Sequence, residues 1–361
     1  MNAIDRFLQT CIDNEEFPSA VYLVAEGRKV LSSNALGQSV APCPEAPTGY
    51  KATLETIYDL ASLTKPLFTG YLLLKAFQEG LLSPETAVSQ ILPEFSTQKR
   101  RDLTIRQMAT HSAGFTAWLP VYILATTPAR ALKAIAESEV AYAPSSRVVY
   151  SDLGYITLGA LLERLYEQAL PILLKKMSEE LGLETATFNP PEELRPKIAA
   201  SETGNIYEQG MVKDPEKYRG WRKQLIWGSV HDHNCYFLGG ASGHAGLFAA
   251  ARDVHRLALE FTPDSKTLEW GLLKKLVYAD LTSGCDEGRS IGWLMGRGQT
   301  MADPFGQESF GHTGFTGTSI WIEPERNRIY ILLTNRTHPV RKEFIMNERR
   351  RDFHRLASKI A

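Results

Sequence analysis

The spacing of hydrophobic positions changes twice along the chain. An amphipathic opening segment, "MNAIDRFLQTCIDNEEF", predicts a helix. The short apolar runs "SAVYLVAEG" and "KVLSSNALG" follow and predict two strands joined by a turn around Gly27. "APCPEAPTG" is a proline-rich loop. From Ser62 to roughly residue 230 the helical period dominates. Leu67, Tyr71, Leu74 and Phe77 recur at helical spacing before Gly80 as a stop. "TIRQMATHSAGF", "ARALKAIAES" and "YITLGALLERLYEQALPILLKKM" predict further helices, and 189–228 is loop-rich. "GLFAAARDVHRLALEF" predicts another helix. "GTSIWIEPERNRIYILLTNR" reads as two strands around a "PERN" turn, and "EFIMNERRRDFHRLASKIA" as a closing helix. The basic cluster at 347–355 is expected on that helix's exposed face.

Strands at both ends and helices between them imply an α+β fold. Its antiparallel sheet is built from the N- and C-terminal segments and flanked by helices, with a mostly helical domain inserted. The expected division is 1–60 with 240–361 as one domain and 61–239 as the other. Ser62 then lies at the junction, where pockets form. There are no internal repeats and no low-complexity tract.

Composition narrows the class of protein. The 361 residues are 43% hydrophobic and 22% charged, as in an ordinary globular chain with a large core. Forty basic against 41 acidic side chains give a net charge of −1, which argues against nucleic acid or an anionic membrane as partner. No apolar run approaches the length of a membrane span. The N-terminus lacks the basic and apolar regions of a signal peptide, so the cytoplasm is the expected location, or the periplasm if a leader was removed. Cys11, Cys43, Cys235 and Cys285 form no C-x-x-C pair.

The chemistry starts at "DLASLTKPL" (59–67). Ser62 suits a helix cap, but a capping box wants Glu or Gln three residues on, and Lys65 opposes the helix dipole there. The pair makes better sense as a nucleophile and its activator, since residues three apart share a helix face. The helix N-terminus is then expected to lower the lysine's pKa and to present the Ser62 N–H to an oxyanion. Spacing alone is weak: Ser96 and Lys99 in "EFSTQKRRD" repeat it in a charged stretch that reads as a solvated loop.

Two further stretches supply partners. Tyr150, Ser151 and Asp152 precede a helical pattern; Tyr150 can carry protons, or Ser151 or Asp152 can simply cap the helix. Tyr278 and Asp280 share that spacing but fall within a helical pattern. In "FGHTGFTGTSIWI", Gly311, Gly314 and Gly317 surround His312 and Thr313 directly before a strand, where a ligand could approach the backbone closely.

S-x-x-K, Y-S-D and H-T-G in this order resemble the serine β-lactamase and penicillin-binding-protein superfamily. The likeness is greatest to class C β-lactamases, DD-peptidases and related esterases, and runs from about residue 15 to the end. It implies Ser62 as acylated nucleophile, Lys65 as its base or that base's electrostatic partner, and Tyr150 as proton shuttle, with His312 in the catalytic group. It further implies that Asp152, Thr313, Gly314 and Phe315 bind substrate, the N–H groups of Ser62 and Phe315 forming the oxyanion hole. Two positions depart from the pattern. His312 stands where lysine is usual, and Asp152 where class C enzymes have asparagine.

Both departures remove attraction for a substrate carboxylate, favouring an ester, an amide or an amine-bearing substrate. "GSVHDHNCYFLGGASGHAGLF" resembles a subgroup tied to cell-wall fragment turnover. His231, His233 and His244, with Asp232 and Cys235, alternatively suggest a metal cluster, the first two as an H-x-H pair on a strand, but no third ligand has a recognisable spacing. The resulting expectation is a serine hydrolase needing neither metal nor cofactor, acting through an acyl-enzyme on a small or muropeptide-like ester or amide. The alternatives are a true β-lactamase, a DD-carboxypeptidase, or a catalytically weak sensor of muropeptides or β-lactams.

Overall fold

The computed structural model describes residues 2–297, 299 and 302–361. Its strands are β1 (Ser19–Glu26), β2 (Lys29–Val40), β3 (Tyr50–Lys51), β4 (Tyr58–Asp59), β5 (Phe248–Ala249), β6 (Leu294–Met295), β7 (Phe310–Thr313), β8 (Ser319–Glu323) and β9 (Arg328–Thr334). Seven of them form one antiparallel sheet in the order β3-β2-β1-β9-β8-β7-β6, while β4 and β5 pair separately. β1 lies against β9, Val21 opposite Leu333. An early and a late segment of the chain therefore share the sheet centre, as the strand pattern predicts.

β1 shows no alternation in sequence because water touches neither of its faces. Ala20, Tyr22 and Val24 pack with Ile4 and Leu8 of the helix Ala3–Asp13 and Phe353 of the helix Met346–Ala357. Val21, Leu23 and Ala25 point the other way, into a cluster with Leu67, Phe68, Val254 and Leu257. Burying one such aliphatic side chain stabilises by roughly 1.5–3 kcal/mol. The sheet is thereby fixed between two helical layers, and β7, next to the edge strand β6, becomes a wall for the site.

Several local expectations are corrected. The pattern "YITLGALLERLYEQALPILLKKM" is two helices, Asp152–Tyr166 and Leu170–Leu181, divided at Glu167, whose φ is 52°. "TIRQMATHSAGF" is helical only over Ile105–Ala109, closed at its start by a Thr104–Gln107 capping box. "GLFAAARDVHRLALEF" begins as β5 and turns helical at Ala251. His233 opens a short helix, His233–Phe237, so His231 and His233 are not strand neighbours. Tyr278 lies beyond the helix Trp270–Leu276. In the C-terminal helix Arg350 and His354 are buried while Arg355 is exposed, so the basic cluster is divided between interior and surface.

One close approach matters for the chemistry. A Cβ on Gly159 would lie 2.5 Å from the Gly243 nitrogen. Glycine at both positions lets the 242–245 segment settle onto the helix Asp152–Tyr166 and brings the His244 carbonyl to Lys65.

Candidate active site

Ser62 sits in a 3₁₀ turn, Ala61–Leu63, and Lys65 opens a π-helical turn, Lys65–Gly70, that becomes an α-helix at Tyr71. Ala61, just before the serine, has a left-handed φ of 48°. For a non-glycine residue that conformation costs roughly 1–2 kcal/mol, so the surroundings must impose it. They do so from the β7–β8 turn. Thr316 and Thr318 hydroxyls donate to the carbonyls of Asp59 and Leu60 at 2.8 and 3.0 Å. A Cβ on Gly314 would lie 2.6 Å from the Leu60 oxygen. The glycine therefore admits the turn that carries Ser62, and it also lines the cavity beside that serine.

Lys65 is fully buried, and its ammonium faces three acceptors. Nζ donates to Ser62 Oγ at 2.9 Å and to the His244 carbonyl at 3.1 Å, and lies 2.7 Å from Asp152 Oδ1. Three N–H groups meet three partners. Burial alone would pull the lysine's pKa down, but Asp152 and Tyr150 outweigh it and raise it above the ordinary value. The expected lowering by the helix terminus is overturned, and Lys65 rests as a cation. Asp152 likewise spends its charge on Lys65 and does not stand as a free anion. Neither it nor Ser151 caps its helix; the Ser151 hydroxyl donates to the Thr116 carbonyl at 2.7 Å.

Tyr150 lies at the cavity mouth with Lys65 Nζ 4.9 Å from its ring centre. Burial raises its pKa, while Lys65 and the Ser62 hydroxyl pull it back. The ring of His111 packs against it, tilted, with ring centres 4.5 Å apart, and His111 Nδ1 accepts the Ser151 N–H at 3.0 Å, which holds the imidazole beside the tyrosine. His312 is buried on β7, its ring 5.8 Å from that of Tyr150. Burial, with Arg289 and Lys65 nearby, holds its pKa well below the ordinary imidazole value. With Nδ1 donating to the Thr313 carbonyl at 2.9 Å, Nε2 is left as a buried acceptor without a partner on the cavity wall.

Two cavities meet at Ser62, Tyr150 and Phe315. The larger, about 480 Å³, is also lined by His312, Thr313 and Gly314 and by three arginines that sequence reading missed, Arg289, Arg336 and Arg350. Arg289 is clamped by Glu287 at 2.7 Å and lies 5.5 Å from the Tyr150 ring centre. Arg350 donates to the carbonyls of Gly314 and Thr318 at 2.7 and 2.9 Å, and Arg336 to that of Phe315 at 2.7 Å. These bonds fix the peptides on either side of the Phe315 N–H. The cationic wall also offsets the charge missing at His312, so the departure there does not by itself disfavour a carboxylate. The second cavity, about 330 Å³, holds Asp152, Glu208 and Asp232 among aromatic side chains.

Each of the clustered histidines has a partner within the protein. His231 Nε2 pairs with Glu202 at 2.8 Å, His233 Nε2 meets the Tyr218 hydroxyl at 3.3 Å, and His244 bridges Asp232 and Ser242 at 2.9 Å each. Among the described residues no group of His, Cys, Asp and Glu is arranged to hold a metal ion. Among them, too, no helix is long and apolar enough to cross a membrane.

This geometry agrees with the comparisons. The chain belongs to the Beta-lactamase family, whose model matches residues 4–355. It is a hydrolase of the β-lactamase and penicillin-binding-protein superfamily. A "Putative D-alanyl-D-alanine carboxypeptidase" of Escherichia coli (strain K12) is 29% identical over 366 residues, covering 94% of this chain and 82% of that protein. One of the same name from Salmonella agona (strain SL483) is 29% identical over 364 residues, with 94% and 83% covered. Among solved structures, a penicillin-binding-protein homologue from Caulobacter crescentus superposes with a TM-score of 0.73 at 19% identity, covering 98% and 96% of the two chains. EstCE1, a hydrolase with promiscuous acyltransferase activity, gives 0.73 at 20% identity, covering 98% and 97%. At these identities the two structures establish the fold.

Proposed function

We propose that the protein is a serine hydrolase that forms an acyl-enzyme on Ser62, and that its substrate is an amide carrying a carboxylate beyond the scissile bond, as at the C-terminus of a D-alanyl-D-alanine peptide. The observation that carries this reading is the saturated Lys65 ammonium. Because Lys65 donates to Ser62 Oγ, the serine's own proton must leave toward another base, and Tyr150 is the group beside it. Lys65 is then the electrostatic partner and Tyr150 the base.

The competent form has lost one proton from the Tyr150–Lys65 pair, leaving phenolate beside ammonium. Tyr150 takes the Ser62 proton as Oγ bonds to the carbonyl carbon. The N–H groups of Ser62 and Phe315 receive the oxyanion. When the intermediate collapses, the C–N bond breaks and Tyr150 returns the proton to the leaving amine. Water then repeats the sequence, with Tyr150 again as base, and frees the acid and Ser62. The arginine-lined cavity supports a leaving group ending in carboxylate, and the relatives' name agrees with that chemistry.

N-acetyl-D-alanyl-D-alanine and its C-terminal amide, with and without EDTA, test the reading. The expected result is D-alanine release from the acid, at least tenfold slower cleavage of the amide, no effect of EDTA, and loss of activity in Ser62→Ala. Retained activity in that variant, or equal rates on acid and amide, would overturn it. A persistent adduct without turnover would instead indicate a sensor.

A further inference from the structure

Tyr150 sits on an irregular link ahead of the helix Asp152–Tyr166, and one residue from another part of the chain holds the peptides around it. The Val149 N–H donates to the His111 carbonyl at 2.9 Å, and the Ser151 N–H to His111 Nδ1 at 3.0 Å. His111 thus takes the amide on each side of the tyrosine. The Tyr142 hydroxyl donates to the same carbonyl at 3.0 Å. Further on, the Ser151 hydroxyl and the Asp152 N–H reach the carbonyls of Thr116 and Ala117.

His111 adopts an uncommon backbone to do this. It follows the helix Ile105–Ala109 with a φ of 58°, a left-handed conformation that glycine or asparagine adopts more readily. The residue is 4% exposed, and its imidazole packs against Tyr150 and also against Tyr155, the latter with ring centres 5.1 Å apart. A ring nitrogen that accepts a hydrogen bond carries no proton, so the imidazole is neutral. Burial, with Arg289, Lys65 and His312 nearby, favours that form. His111 lines neither cavity at Ser62, whereas Tyr150 lines both, so any effect of the histidine on bound substrate passes through another group.

We infer that His111 is a positioning residue for Tyr150, holding the peptides on both sides of the tyrosine and packing against its ring so that the phenol stays beside Lys65. The inference rests on the reading of Tyr150 as base and deepens it, because a proton carrier displaced by about an ångström loses much of its rate advantage.

Asparagine at this position supplies an Oδ1 acceptor in place of Nδ1 and tolerates the left-handed φ, but has no ring. Steady-state kinetics on p-nitrophenyl butyrate compare His111→Ala and His111→Asn, each alone and combined with Tyr150→Phe, with thermal melts to confirm folding. His111→Ala should lower kcat about 30-fold or more and His111→Asn about fivefold or more, with KM in both within about threefold of wild type. Where Tyr150→Phe has already slowed the reaction, either change at His111 should alter kcat by less than about threefold, because no base is left to misplace. Losses that multiply in the double variants, as a merely structural role would give, or a wild-type rate in either single variant, would overturn the inference. Wild-type kcat in Tyr150→Phe itself would overturn the base assignment, and a loss in His111→Ala alongside it would show the histidine acting apart from the tyrosine.

Discussion

The chain contains the pattern S-x-x-K twice, and the two copies behave as different chemistry. Ser96 and Lys99 are exposed, at the end of the short 3₁₀ turn Pro93–Phe95. Ser62 and Lys65 have the same spacing, but there the lysine is fully buried and held by three acceptors from three parts of the chain. A surface lysine gains almost nothing from a nearby serine, because water satisfies both. In the interior the same contact fixes a cation against the serine proposed as nucleophile. The spacing allows the pair; the enclosure makes it chemistry.

The sharpest contrast is between the two serines. Ser62→Ala should lower kcat by about 10⁴-fold or more, as loss of a nucleophile does elsewhere, while Ser96→Ala leaves it unchanged. Steady-state kinetics on one p-nitrophenyl ester check both. The lysines should differ in stability as well. Lys65→Ala leaves Asp152 without its cation and should cost roughly 3 kcal/mol in chemical denaturation, besides abolishing most activity. Lys99→Ala should stay within about 0.5 kcal/mol of wild type.

A smaller effect probes the wall behind the oxyanion hole. Arg350→Met removes the donors to the Gly314 and Thr318 carbonyls, so kcat should fall about 10- to 100-fold with KM changed less. Arg350→Lys should restore only part of the rate, since one ammonium replaces a forked guanidinium.

The mildest prediction concerns pH. Tyr150 and Lys65 both have raised pKa values, so the competent, once-deprotonated pair is scarce at neutral pH and kcat/KM should climb toward alkaline pH. His111 and His312 are held well below their ordinary range, so no break should appear near 6.5. Asp152→Asn removes a carboxylate that raises the Lys65 pKa, and burial then dominates. The alkaline rise should shift to lower pH. A bell with an inflection near 6.5 would assign the base to an imidazole instead.

What was legible in the sequence follows from range. Ser62 and Lys65 are three residues apart, and Tyr150 directly precedes a readable helical pattern, so local pattern marks them. The α+β sheet was legible because β1, β8 and β9 are long apolar runs closed by turn residues. The Arg350 and Arg336 contacts were not, because nothing local separates an arginine that enters a cavity from one in a solvated basic run. Glu208 and Met211 come from the 189–228 stretch, whose short helical turns carry no period long enough to read. The setting of His312 was hidden for a related reason: Arg289, Arg336 and Arg350 line the same cavity, and only the fold brings them to it.

The central claim is the covalent step on Ser62. Wild-type protein mixed with p-nitrophenyl butyrate, quenched in acid within milliseconds and digested, tests it by mass spectrometry. The account predicts one butyryl group on the peptide carrying Ser62, appearing with the burst of p-nitrophenol and absent in Ser62→Ala. A butyryl group on another residue, or continued turnover by Ser62→Ala, would contradict it.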